Sequence, residues 1–222
     1  MLQSEVQDIS VPYGEILMKL YDEEKVTEHL LVWLAIAACV NRQIALVSAM
    51  PLLFEDRNIY ALMPLVRLQL EGALRLHAFS VVDDPGALAH HLLIEGKENK
   101  AYKKNKYKNA LTDSSLAKSL GDTLEGRLKV SSDTDNGNSG IHQLYRILCG
   151  WVHFSDQHFL SLMQKGDERD DGIPNINLNV GGYKTEVYED RYDMLVSVIP
   201  FIHKATLLVI EDLFESLSHT LH

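Results

Sequence analysis

From about residue 26 to residue 217 the apolar residues recur at three- and four-residue spacing, and only one segment breaks that period. A chain written this way has few options besides helices that bury one stripe each against one another. Acidic YDEEK at 21–25 precedes a stretch from about Val26 to Ala49, placing negative charge at the positive end of a helix, with Pro51 expected to end or kink it. A second long helix is expected from Asn58 to Phe79, with Pro64 in its early turns. Asp84 as N-cap and Pro85 at the first helical position open a third, which is expected to carry the lysine run that follows.

Leu116, Leu120, Leu124 and Leu128 repeat every four residues and mark another helix. YRILCGWVHF, 145–154, lies in the next, and Ser155 is a plausible N-cap for a shorter one through Gln164. The last runs from about Glu189 to Leu217, bent near Pro200. In the exceptional segment Ile176, Leu178 and Val180 alternate with asparagines, and Gly181-Gly182 supplies a two-residue turn, so a β-hairpin is expected at about 173–188. SSDTDNGNSG, 131–140, is made of turn formers and is expected to be a mobile loop. The fold class is therefore mainly α: a helical bundle with one hairpin insertion, in one domain spanning 1–222.

Composition narrows the function classes. Two cysteines, Cys39 and Cys149, both in helical patterns, exclude a disulfide scaffold and a cysteine-rich metal site. The opening MLQSEVQDIS shows no secretory pattern, which leads to a cytoplasmic expectation. The most apolar stretch, 30–54, is interrupted by Asn41, Arg42 and Gln43, and is read as a core helix with no membrane role. Net charge is −10, yet residues 97–108 hold six lysines and one glutamate, a local +5, so the remaining chain carries −15. On one helix, Lys97, Lys100, Lys104 and Lys108 would line a face with Tyr102 and Tyr107 on its flanks. Such a stripe could hold a phosphate backbone while a tyrosine stacks on a base; a solvated face is the plainer reading.

Two other constellations stand out. Arg146, Cys149, Gly150, His153 and His142 share one face of a helix that is otherwise filled by Leu144, Ile147, Leu148, Trp151 and Val152. Arg67 and Glu71 project from the same apolar face as Tyr60, Met63, Leu70, Leu74 and Ala78. Charges in such places are paired or functional, so one shared polar cluster near the site is expected, with Arg67 and Glu71 as an ion pair holding two helices. His158 could add a second imidazole or be a lone surface histidine. No metal site is expected: His90 and His91 are adjacent and diverge on a helix, and the 131–140 segment lacks the glycine placement of a calcium loop. No glycine cluster has phosphate-loop spacing.

The Arg146-x6-His153 spacing, with NIYALMPLVRLQLEGALRLHAF and IHQLYRILCGWVHF, resembles the HEPN superfamily, all-helical domains with an Arg-x4-6-His motif late in the chain. The resemblance implies a HEPN-like bundle and, for many members, a metal-independent ribonuclease of toxin–antitoxin or phage-defence systems, with no cofactor. It implies a homodimer in which two copies of the motif meet, RNA as substrate, and a protein partner such as an antitoxin. Arg146 would stabilise charge on the phosphate, and His153 would act as acid or base. Where the nuclease branch usually has a polar residue after the arginine, Ile147 stands here, which leaves a second reading: a catalytically silent domain of the same build that binds a protein partner or nucleotide. An open, solvent-reached Arg146/His153 face favours the first, and a closed hydrogen-bonded core the second.

Overall fold

The computed structural model describes residues 11–16, 18, 29–125, 127–128, 140–153, 163–168, 174–178 and 189–219. Its helices are α1 (Leu30–Glu55), α2 (Ile59–Val81), α3 (Pro85–Leu93), α4 (Asp113–Leu124), α5 (Gly140–Val152) and α6 (Glu189–His219), with residues 11–16 also helical. The molecule is mainly helical. Two short strands, β1 (Met163–Glu168) and β2 (Pro174–Leu178), pair antiparallel, with an irregularity between Lys165 and Glu168.

α2 is the hub. It packs against α1, α3, α4, α5 and α6, and its buried residues point in every direction around the axis. A helix apolar all round can be satisfied only from all sides, and small residues let the neighbours close in. A Cβ added at Gly72 would lie 2.4 Å from Gln43 Nε2 of α1, and Gln43 Nε2 donates to the Gln69 carbonyl at 2.7 Å. α1 supplies Val32, Trp33, Ile36, Val40, Met50 and Phe54 to the common core, and α6 supplies Leu195, Ile199, Ile202, Val209, Leu213 and Leu217. Tyr13 is fully buried, edge-on to His203 of α6 with ring centroids 4.7 Å apart.

The helix starts follow local chemistry. The Asn58 side chain accepts from Ala61 N–H at 3.2 Å, and the Asp84 carboxylate accepts from Ala87 N–H at 2.9 Å with Pro85 just inside. Thr112 caps α4 in the same manner.

Several expectations are corrected. α1 does not stop at Pro51 but continues to Glu55, because Met50, Pro51 and Phe54 are buried and that burial offsets the missing N–H bond. Asn41, Arg42 and Gln43 do not shorten the apolar span as expected: α1 and the Arg191–Leu217 part of α6 are each long and apolar enough to reach across a bilayer, with mean hydropathies of 1.9 and 1.7, and both pack on α2. α4 ends at Leu124, although Leu128 beyond it is still buried. α6 covers the helix expected from Glu189 to Leu217, with Pro200 inside it.

The lysine run is not part of α3. That helix ends at Leu93; Gly96 follows with φ +63°, then a 3-10 turn at Asn99–Ala101 and a single α-turn at Lys104–Tyr107. Lys103 and Lys108 bound that turn with φ of +37° and +48°. Lysines propagate a helix well, but residues 97–108 offer no apolar stripe to dock one, and an isolated helix of that length is marginal.

The hairpin expected at 173–188 is also displaced. β2 covers part of the alternating segment, but its partner lies upstream at 163–168, since a period of two specifies a strand without saying which neighbour pairs with it. Gly181-Gly182 and the rest of 179–188 lie outside the described residues, as do 131–139 of the expected loop. Of the helix expected from Ser155 to Gln164, residues 155–162 lie outside them too, and Met163 and Gln164 belong to β1.

Candidate functional site

Arg67, eight per cent exposed in the middle of α2, is the centre of a polar cluster that joins α2, α4 and α5. Its Nη2 donates to Asp113 Oδ2 at 2.9 Å, and its Nε donates to Cys149 Sγ at 3.4 Å. Its Nη1 lies 3.8 Å from Glu71 Oε2, and the guanidinium stacks 4.6 Å from the centre of the Tyr145 ring. Burial, reinforced by the neighbouring Cys149, pushes the Tyr145 phenol up to about 12, so the ring stays neutral against the cation. Glu71 is in turn the meeting point of Arg75, with Nη2 at 2.9 Å and Nε donating at 3.0 Å, and of Arg42 from α1 at 3.8 Å. Thus Arg67 and Glu71 do belong to one cluster tying helices together.

Arg146 does not belong to it. α5 buries Ile141, Leu144, Leu148 and Trp151, and its opposite side carries Arg146 and His153. Both are exposed, and among the described residues neither side chain has a hydrogen-bond or ion-pair partner. The apolar residues expected to fill the rest of this helix do not bury it all round, since Val152 is exposed with Arg146 and His153, and its Arg/His pair is not a hydrogen-bonded core pair. Cys149 sits between the two faces, half-buried, its sulfur held by Arg67 from within. Seven residues of α-helix separate Arg146 from His153 by about 10 Å along the axis. His142, one turn earlier, lies 3.2 Å from Ser114 Oγ of α4. His158 lies outside the described residues.

The lysine patch is real as a charge cluster but is not a stripe. Lys97 pairs with Glu95 at 2.8 Å and Lys100 with Glu98 at 2.7 Å, while Lys104 and Lys108 are exposed. Lys106 pairs with Asp83. Tyr102, expected on a flank to stack on a base, is buried instead, four per cent exposed, stacked on Tyr107 at 5.8 Å and edge-on to His91 at 5.4 Å. An aromatic at such a chain reversal is worth more as core than as a platform in water.

Sequence reasoning passed over Asp113, Tyr145, Arg42 and Arg75. The i, i+4 spacing of Arg67, Glu71 and Arg75 was a local signal for the last of these. Nothing local points from Arg67 to Asp113, 46 residues away. A second unforeseen group is His77 of α2: its Nε2 lies 3.0 Å from Ser119 Oγ of α4, and its Nδ1 lies 3.1 Å from Ser80 Oγ. Ser80 donates its one proton to the His77 carbonyl at 2.7 Å, so it accepts from Nδ1–H, and Nε2 is left to accept from Ser119. Burial lowers this imidazole to about 4, against a weaker opposing pull from Asp212. Among the described residues no group of three or more histidine, cysteine or acidic side chains is placed to hold a metal ion.

Compared with family models, with curated proteins and with solved structures, the chain matches none.

Proposed function

We propose that this chain is a HEPN-like, metal-independent endoribonuclease of toxin or phage-defence type that works as a homodimer in the cytoplasm. The observation that carries the reading is the state of Arg146 and His153: exposed, two turns apart on the same open side of α5, and unpaired among the described residues. A surface arginine and histidine with no structural employment are available to an anionic substrate. RNA supplies its own nucleophile. His153 takes the proton of a 2′-OH as that oxygen bonds to phosphorus, and the P–O5′ bond breaks. The protonated imidazole then gives that proton to the leaving oxygen, and Arg146 of the second copy stabilises the charge on the phosphoryl oxygens. The products are a 2′,3′-cyclic phosphate and a 5′-hydroxyl. Lys104 and Lys108 add positive charge for the backbone.

The test is cleavage of single-stranded RNA in EDTA by the wild type, Arg146→Ala and His153→Ala, with melting curves alongside. Both positions are exposed, so neither substitution should disturb folding, and each should lower the rate by about 10²–10⁴-fold. Absence of EDTA-resistant cleavage by the wild type, or an unchanged rate in either variant, overturns the reading.

The second reading is a catalytically silent domain of the same build that binds a protein partner or nucleotide. It draws on Arg67, whose Nε and Nη2 join α2 to α5 and α4. On that reading the polar groups serve architecture, and Arg146→Ala leaves RNA intact.

A further inference from the structure

Between α1, α2 and α3 lies a cavity of about 350 Å³, within the range of small-molecule sites. Its walls include Ala35, Ala38, Cys39, Gly72, Leu76 and Phe79. Burial holds the Cys39 thiol up at about 12, so this wall stays uncharged. Leu93 at the mouth is 41% exposed, apolar surface that an occupant would cover.

The charged groups at the cavity are unbalanced. Three guanidiniums, Arg42, Arg67 and Arg75, converge on the single carboxylate Glu71 at 3.8, 3.8 and 2.9 Å. Asp113 compensates Arg67, and at the rim Lys97 pairs with Glu95 and Lys100 with Glu98, so that Arg42, Arg67, Arg75, Lys97 and Lys100 stand against Glu71, Asp113, Glu95 and Glu98, a surplus of one cation. The Arg42 and Arg75 side chains line the cavity and are 40% and 37% exposed, so both can reach an anion within it. Arg75 and Glu98 also line a second recess of about 300 Å³, so the two spaces adjoin. Asn99 lines that second recess, is two per cent exposed, and has no hydrogen-bond partner for either amide atom. Buried amides are rarely left unmet, and an oxygen-bearing head group would meet this one.

We propose that the cavity between α1, α2 and α3 binds a medium-chain acyl carboxylate, its tail among Ala38, Leu76 and Phe79 and its head against Arg42 and Arg75. The apolar wall alone would suit a neutral hydrocarbon; the surplus guanidinium selects an anion, and charge-assisted bidentate contacts favour a carboxylate. This site is separate from the Arg146/His153 face, and binding is its own readout, so it stands or falls independently of RNA cleavage.

The test is calorimetric titration of the full chain with hexanoate, octanoate and decanoate, with decanol as an uncharged control. Each added methylene should tighten binding by about fourfold while apolar wall remains to be covered. Arg75→Gln should weaken decanoate by about tenfold or more and leave decanol unchanged. Ala38→Phe, at an exposed position on the mouth, should weaken both ligands with the melting temperature retained. Should that variant misfold, the chain-length series and Arg75→Gln decide alone. No binding of decanoate at about 1 mM, an affinity indifferent to chain length, or one indifferent to Arg75→Gln overturns the proposal.

Discussion

His77 and His203 are imidazoles placed where a positive charge is unwelcome. His77 is four per cent exposed and His203 eight per cent, and burial lowers each from 6.5 to about 4. The folded state keeps both neutral across a range in which the unfolded chain binds protons, so the unfolded state is favoured as pH falls. Stability contributed by these residues is fully present above about pH 6.5 and drains away between there and pH 4, below which the slope from them ends. The loss should be about 1–3 kcal/mol for each imidazole. Urea titrations at half-unit pH steps would measure it, and His77→Gln with His203→Gln should flatten the profile over that window. A wild-type profile flat from pH 7 to 4 would mean that neither ring is held neutral.

At the scale of elements, the α1–α2 contact depends on a missing side chain. With Gln43 Nε2 only 2.4 Å from where a Gly72 Cβ would stand, Gly72→Ala forces the glutamine off the Gln69 carbonyl or the helices apart. Helix propensity favours alanine by about 1 kcal/mol, but overpacking costs about 1–3 kcal/mol and strands a buried amide, so the net change is destabilising. Gln43→Ala should relieve the clash, making the double variant more stable than the summed losses predict; additive losses would exclude this contact as the cause. The signal that sequence carried well was of this local sort: Asp84-Pro85 satisfies an amide within three residues, so the start of α3 is legible, and Asn58 and Thr112 cap their helices by the same short-range chemistry. Non-local decisions were less legible. A helical wheel groups Arg146 with His153 but cannot say whether that face meets a neighbour, and Ile147 and Val152 argued for burial although Val152 is 47% exposed. The cap at Asp84-Pro85 marks where α3 starts but not how far it runs, and the lysine segment beyond it lacks tertiary docking. The partner of β2 and the Arg67–Asp113 bond depend on chain topology, which no spacing encodes.

For the whole molecule, the proposed nuclease requires more than one copy. Arg146 and His153 are about 10 Å apart along α5 and lie on its solvent side, so a second α5 facing the first across a two-fold axis would set each arginine near the other copy's histidine. Apolar surface is available for association: Val152 beside His153 is 47% exposed, and Leu34 and Leu52, five turns apart on one side of α1, are 49% and 68% exposed. Such a site makes a sharp prediction about mixtures. Arg146→Ala and His153→Ala should each be inactive alone, but a heterodimer of the two recovers one complete site, with arginine from one copy and histidine from the other, beside one site that lacks both. Equal mixing makes about half the dimers heterodimers, so about a quarter of wild-type activity should return. Sedimentation at the assay concentration should show a species of twice the 25.1 kDa chain mass. If the pair instead acts within one copy, neither subunit of the heterodimer carries both groups, and mixing restores nothing; inactive mixtures that sediment as dimers would therefore place the reaction, if the wild type cleaves RNA, on a single α5.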